Sequence, residues 1–231
     1  MEDFNGDTFV AFIDISGFKE LMRKRQKAED ILDKFYTTGY DVVDQQQNEN
    51  YPKVDGIFIS DCGILFVRQT ISEEKKFEAL LKIIKEINRK MLVEDVVLTT
   101  SIAYGYFCYE DRIEFQRIKK NLIYGAAYVT AYLDSDDGNS KIQPGQCRIV
   151  KRNLPNEIKT AIGNHNSCIL KMVGILQKDN EHYYYYWMLE DPSEIEEFER
   201  KYYDACNSKY LAILNTLKGN ADTRRMASNN S

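Results

Sequence analysis

The segment Thr8 to Lys19, TFVAFIDISGFK, decides the fold. Its first half, Thr8 to Ile13, is an apolar, β-branched run that stops at Asp14 and reads as a buried strand. Ser16 and Gly17 follow as a small-residue turn. From Phe18 to about Tyr40 the pattern becomes helical, with Ala28, Ile31, Leu32 and Phe35 as its apolar stripe. A strand that ends on an aspartate and turns into a helix sets a carboxylate beside unpaired backbone N–H groups. That setting attracts phosphate and, through the carboxylate, a divalent cation. Asp14 can equally be read as a plain helix cap.

Working outward, Ile57 to Val67 (IFISDCGILFV) reads as a hairpin whose apolar runs are separated by Ser60, Asp61, Cys62 and Gly63. Ser72 to Met91 predicts a second amphipathic helix, N-capped by Ser72, with Phe77, Leu80, Leu81, Ile84 and Ile87 on its apolar face. Val96 to Phe107 is a further β run, and Leu122 to Tyr132 (LIYGAAYVTAY) reads as an Ala-rich helix opened by Gly125. Asp134 to Ser140 reads as a turn. Strand candidates recur at Arg148 to Lys151, Cys168 to Ile175 and Tyr183 to Leu189, and a helical pattern runs from Ser193 to Leu217. The order β-α-β-β-α-β predicts an α+β fold: a ferredoxin-like core with added strands, helices packed on one face of the sheet, and a C-terminal helix. Residues 1–190 are expected as one domain, 191–217 as a helix on that domain or on a dimer partner, and 218–231 as a disordered tail. In such a core the first strand is expected beside the first strand of the hairpin. Asp14 and Asp61 could then grip metal ions between them, although an aspartate in a turn is ordinary.

The composition narrows the chemistry. With 231 residues, 43% of them hydrophobic, the chain can bury a core without disulfides or metals. No apolar run approaches the length of a membrane span, and the acidic start MEDFNGD lacks the pattern of a signal peptide. Five scattered cysteines (Cys62, Cys108, Cys147, Cys168, Cys206) with no CxxC pair suit a reducing cytoplasm and argue against a zinc site. A formal charge of −5 argues against nucleic-acid binding. Two histidines, His165 and His182, against 16 tyrosines leave carboxylates and backbone as the expected carriers of any catalysis.

FIDISGF followed by ISDCGILF resembles the paired metal motifs of the class III nucleotide cyclases, the adenylate and guanylate cyclase superfamily. SIAYGYF and LIYGAAYVTAYL resemble its later strand and glycine-led helix, so the resemblance spans about residues 8 to 190. It implies that Asp14 and Asp61 ligate two ions of Mn²⁺ or Mg²⁺ per site, with the main-chain carbonyl of Ile15. It implies too that backbone amides of Ser16, Gly17, Phe18 and Lys19 hold the triphosphate. The reaction implied is attack of a ribose 3′-oxygen on the α-phosphate with loss of pyrophosphate. Where adenylate cyclases carry base-reading polar residues this chain has Ile57 and Leu122, and the family's transition-state asparagine and arginine fall at Val129 and Leu133. The missing pair is compatible with an inactive, cyclase-like binding module.

Retained metal aspartates without purine readers resemble most the stand-alone pyrimidine cyclases of bacterial Pycsar anti-phage defence. That resemblance implies a cytoplasmic homodimer with sites at its interface, acting on UTP or CTP. Its product, cyclic UMP or cyclic CMP, would reach a separate cyclic-nucleotide-sensing effector, with neither nucleic acid nor membrane as partner and no sensor domain on this chain. Most members of the branch are uridylate cyclases, which orders uracil before cytosine and both before a purine. Tyr51 is a candidate base contact or an ordinary half-buried aromatic. Thr130 on the glycine-led helix and Arg148 are candidate transition-state contacts; Arg148, Lys151 and Arg152 can also be read as a solvated edge. The YYYYW run ending at Trp187 reads as sheet packing, with a dimer surface as the other use.

Overall fold

The computed structural model describes residues 1–23, 25–45, 52–69, 71–112, 120–136, 141–175 and 179–207. Tyr51 and every residue after Asn207, the 218–231 tail included, lie outside the described residues. Strand β1 (Phe4–Ile15) leads through the short helix α1 (Phe18–Leu21) into α2 (Arg25–Gln45). The hairpin β2 (Val54–Ile59) and β3 (Cys62–Val67) follows, then α3 (Glu73–Val93) and the long β4 (Leu98–Arg112). These elements pair in the order β2-β3-β1-β4, all antiparallel. That is the ferredoxin-like core expected from the element order, with α2 and α3 as its two crossovers.

The neighbour of β1 is nonetheless β3, not β2. A right-handed βαβ crossover from β1 to β2 leaves a gap between parallel strands, and the returning β3 fills it. The added elements extend the β4 side. β5 (Lys120–Tyr124) pairs with the far end of β4, α4 (Ala126–Asp136) lies back across the sheet, and β6 (Cys147–Val150) runs parallel to β4. After α5 (Asn156–Asn164), the strands β7 (Val173–Gly174) and β8 (His182–Tyr185) complete the order β6-β8-β7, and α6 (Ile195–Asn207) follows.

Strand alternation divides the side chains between two cores. Phe9, Ala11, Ile13 and Ile15 of β1 face the larger core with Phe35 of α2, the α3 stripe and Ile158 of α5. Val10 and Phe12 face a smaller core with Ile64, Phe66, Phe107 and the alanines Ala127 and Ala131 of α4. The helices therefore do not all share one face, as the sequence led us to expect, because α4 covers the other.

Two further expectations change. Leu122 to Tyr124 belongs to β5, and the helix starts only after Gly125. Gly125 has φ 137°, and a Cβ there would sit 2.3 Å from the Tyr106 carbonyl oxygen, so only glycine lets the chain turn this close to β4. Of the strand expected from Cys168 to Ile175, only Val173–Gly174 pairs, because Leu170–Met172 closes into a 3₁₀ turn.

Candidate functional site

Asp14 lies one residue from the end of β1, between Cys62 of β3 and Thr99 of β4 in the ladder. Its alternation matches Val10 and Phe12, so its side chain leaves the sheet on the α4 side. The β2–β3 connection is the two-residue turn Ser60–Asp61, shorter than the sequence suggested, with Cys62 and Gly63 already in β3. Ser60 takes φ 54°, a left-handed conformation for a non-glycine residue at this turn. The turn is pinned by the Cys62 thiol, which donates to the Ile59 carbonyl at 3.1 Å. The Asp61 carbonyl in turn accepts the Ile15 N–H at 3.0 Å, which docks the turn against the end of β1. The two aspartates meet at this end of the sheet.

Their proximity shows in their electrostatics. Burial, and then the negative charge of Asp61, push the Asp14 carboxyl up to about 6, while Lys19 and Lys141 pull the other way and Asp136 adds to the rise. Burial and the same two aspartates raise the Cys62 thiol to about 11, so it stays protonated at neutral pH. A half-buried carboxylate held next to another is a setting that a cation relieves. Among the described residues no group of three or more His, Cys, Asp and Glu side chains is arranged to hold a metal. A cation between Asp14 and Asp61 would complete its shell with main-chain carbonyls, water and phosphate oxygens, as Mg²⁺ commonly does.

Gly17 follows in the left-handed region at φ 76° and returns Phe18 to the core. The Ser16 N–H is already used, donating to the Val97 carbonyl at 2.9 Å. Of the four amides expected to cradle phosphate, those of Gly17, Phe18 and Lys19 stand at the start of α1, where helical geometry supplies no internal acceptor.

The other expected residues are dispersed. Ile57 sits on β2 opposite Ile64 and packs against the smaller core. Leu122 pairs with Glu110, whereas Asp14 pairs with Thr99 at the other end of the same β4. That separation is about 35 Å along an extended strand. Thr130 is half-buried on α4. Arg148 does not lie on a solvated edge. It is 2% exposed, and its guanidinium grips Asp134 at 3.1 Å, because α4 covers this face of the sheet too. Lys141 and Asp136, which bear on Asp14, carried no signal in the sequence, since only the fold brings the end of α4 and Lys141 beyond it to the end of β1.

The architecture can be compared with solved structures. The guanylyl cyclase domain of the RhoGC fusion protein from the aquatic fungus Blastocladiella emersonii, a dimeric domain, superposes with a TM-score of 0.56 at 12% identity, covering 79% of this chain and 95% of that one. The chain has the fold of a guanylyl cyclase catalytic domain. The guanylate cyclase domain of RhGC from Catenaria anguillulae, in complex with GTP, gives 0.51 at 12% identity over 80% of this chain and 97% of that one. A rhodopsin-guanylyl cyclase core with converted specificity, in complex with ATPαS, gives 0.51 at 10% identity over 79% and 95%. No protein-family model and no curated protein matches the chain. Among the described residues no helix is long and apolar enough to cross a membrane.

Proposed function

We propose that this protein is a metal-dependent nucleotide cyclase that converts UTP to 3′,5′-cyclic UMP and pyrophosphate. One observation carries the reading: Asp14 and Asp61 converge at the same end of a sheet whose fold is that of guanylyl cyclase catalytic domains. The two carboxylates, with the Ile15 carbonyl, would hold Mn²⁺ or Mg²⁺, which when bound lowers the pKa of the ribose 3′-hydroxyl and offsets the charge of the triphosphate. The protein's part is to orient. The amides of Gly17, Phe18 and Lys19 hold terminal phosphate oxygens, and Lys19 adds a positive charge beside them.

The aliphatic Ile57 and Leu122 support a pyrimidine, since neither can make the polar contacts that select a purine. The 35 Å scale separating Leu122 from Asp14 supports a homodimer, in which a two-fold partner sets its own β5 and α4 against these carboxylates. The exposed apolar outer side of α4, with Val129 and Leu133, suits that interface. The released cyclic nucleotide would act on a separate effector in anti-phage defence.

Purified protein incubated with Mn²⁺ and each of the four NTPs tests the reading. Cyclic UMP and pyrophosphate from UTP is the expected result, and absence of any cyclic product would overturn it. A preference for CTP, or for ATP or GTP, would keep the cyclase and replace its substrate. Because Val129 and Leu133 stand where relatives place transition-state contacts, tight nucleotide binding without turnover would instead mark a binding module.

A further inference from the structure

On the α4 side of the sheet, the side on which Asp14 also lies, four ionisable groups meet, with Arg148 and His182 buried and Asp134 and Asp179 partly buried. Asp134 comes from the last turn of α4, Arg148 from β6, His182 from β8, and Asp179 from the loop before β8. Arg148 donates to both carboxylate oxygens of Asp134, at 3.1 and 3.3 Å, and to its main-chain carbonyl. Ser101 of β4 donates to the same carboxylate at 2.6 Å. His182 bridges the two aspartates, with Nε2 2.7 Å from Asp134 Oδ1 and Nδ1 2.8 Å from Asp179 Oδ2. The Tyr184 hydroxyl and the backbone amides of Glu181 and His182 donate to Asp179. Arg148 and His182 are 2% and 3% exposed, so water contributes little to balancing these charges.

The arrangement has two consequences. Both carboxylates meet the imidazole, so together they favour its second proton. Burial works against that proton, yet the bonds to Asp134 and Asp179 outweigh it and hold the ring above its ordinary pKa. Burial likewise works against the Asp134 charge, and His182, Arg148 and Ser101 together outweigh it. Second, Asp134 is one helical turn beyond Thr130, on the same stripe of α4, while Ala127 and Ala131 face the sheet and Val129 and Leu133 point outward. α4 presses the small alanines Ala127 and Ala131 on the sheet, with Tyr128 packed beside them and Tyr132 edge-on to Phe12 of β1 at 5.4 Å. The bonds from Ser101, Arg148 and His182 add a directional hold on the final turn of α4.

We propose that Asp134 is a positioning residue for the cyclase site: the clamp of Arg148, His182 and Ser101 on its carboxylate fixes how α4 lies on the sheet, and so where the helix presents Thr130 and its outer side to substrate. This rests on the cyclase reading above. It adds that the site depends on a buried ionic lock that touches neither substrate nor metal, and that the lock loosens when His182 loses its proton.

The test uses the full chain and two readouts. Asp134→Asn, which keeps size and removes charge, should lower kcat on the order of tenfold to a hundredfold with KM for the metal–nucleotide little changed, as expected of a misplaced rather than missing contact. The wild type should lose kcat as pH rises through the His182 titration, and His182→Gln should erase that alkaline limb. Hydrogen exchange of the α4 amides, corrected for intrinsic rates, needs no nucleotide: protection should fall with rising pH in the wild type and be pH-independent in His182→Gln. An active wild type whose alkaline limb and α4 protection persist unchanged in His182→Gln overturns the proposal. So does a folded Asp134→Asn with kcat within about twofold of wild type, a change too small for a displaced helix. An inactive wild type that still shows the exchange pattern would overturn the cyclase reading and leave the lock in place. If either variant fails to fold, the wild-type exchange series against pH decides alone, and a flat series overturns the proposal.

Discussion

Asp14 shows how one side chain can carry an energetic cost in the folded chain. Its carboxyl is raised to about 6, first by burial and then by Asp61, so above that pH the folded protein holds an ionised group that the unfolded chain would hold more comfortably. A raised folded pKa means the stabilising contribution is complete below the unfolded value near 4 and is lost as pH climbs through about 6. In metal-free protein at pH 7, Asp14→Asn should therefore raise stability by about 1 kcal/mol, after allowing for screening at a half-exposed site. Thermal melts at pH 7 and pH 4 check this, with the gain present at the first and absent at the second. Added Mn²⁺ should stabilise the wild type and not Asp14→Asn, and its apparent affinity should weaken as pH falls through about 6, where protons compete for the carboxyl. Both aspartates were legible in the sequence because each ends an apolar run at a turn. Arg148 was not. In CRIV an arginine between apolar neighbours has the alternation of a strand with one wet face, and nothing local says that α4 covers that face.

Among the elements, α4 departs most from what its sequence suggests. LIYGAAYVTAY is one apolar, Ala-rich window, and apolar periodicity alone does not separate a short strand from the helix that follows it. Gly125 is the joint between them, and its lack of a side chain is what the joint requires. Gly125→Ala would force a Cβ to 2.3 Å from the Tyr106 carbonyl oxygen at a φ of 137°. A loss of about 3 kcal/mol is expected, read as a lowered midpoint in denaturant titration. At the other side of the sheet, α6 is docked by the Tyr186 hydroxyl, which donates to the buried Glu199 carboxylate, and by the Tyr186–Phe198 ring contact. Tyr186→Phe should cost about 1–2 kcal/mol by leaving that carboxylate without this donor, again measured by denaturant titration. The helical pattern from Ile195 to Asn207 was legible because its apolar positions recur at helical spacing. The core crossovers α2 and α3 were legible for the same reason.

For the molecule as a whole, the ferredoxin-like half was readable from element order and the appended half was not. The order of β6, β8 and β7 depends on contacts between segments distant in sequence, and their strands are as short as two residues. The proposed dimer is a statement at this scale as well. Val129 is 47% and Leu133 55% exposed on α4, so a charge introduced there should leave the single chain folded. Leu133→Glu is expected to give a monomer by sedimentation, with unchanged circular dichroism and cyclase activity reduced at least about 100-fold, since neither half-site would be completed.

The register of β1 carries a consequence for how the protein is made. Phe4 to Ile15 pairs with β4 from Tyr109 back to Leu98, and with β3 from Phe66 to Cys62. On the ribosome, TFVAFI thus leaves the exit tunnel long before either flanking strand exists. At roughly 5–20 residues per second, it spends several seconds as an unpaired apolar segment. The strand that carries Asp14 is the first to be synthesised and among the last to be enclosed. This central strand, more than either edge of the finished sheet, is where a chaperone has something to hold during synthesis.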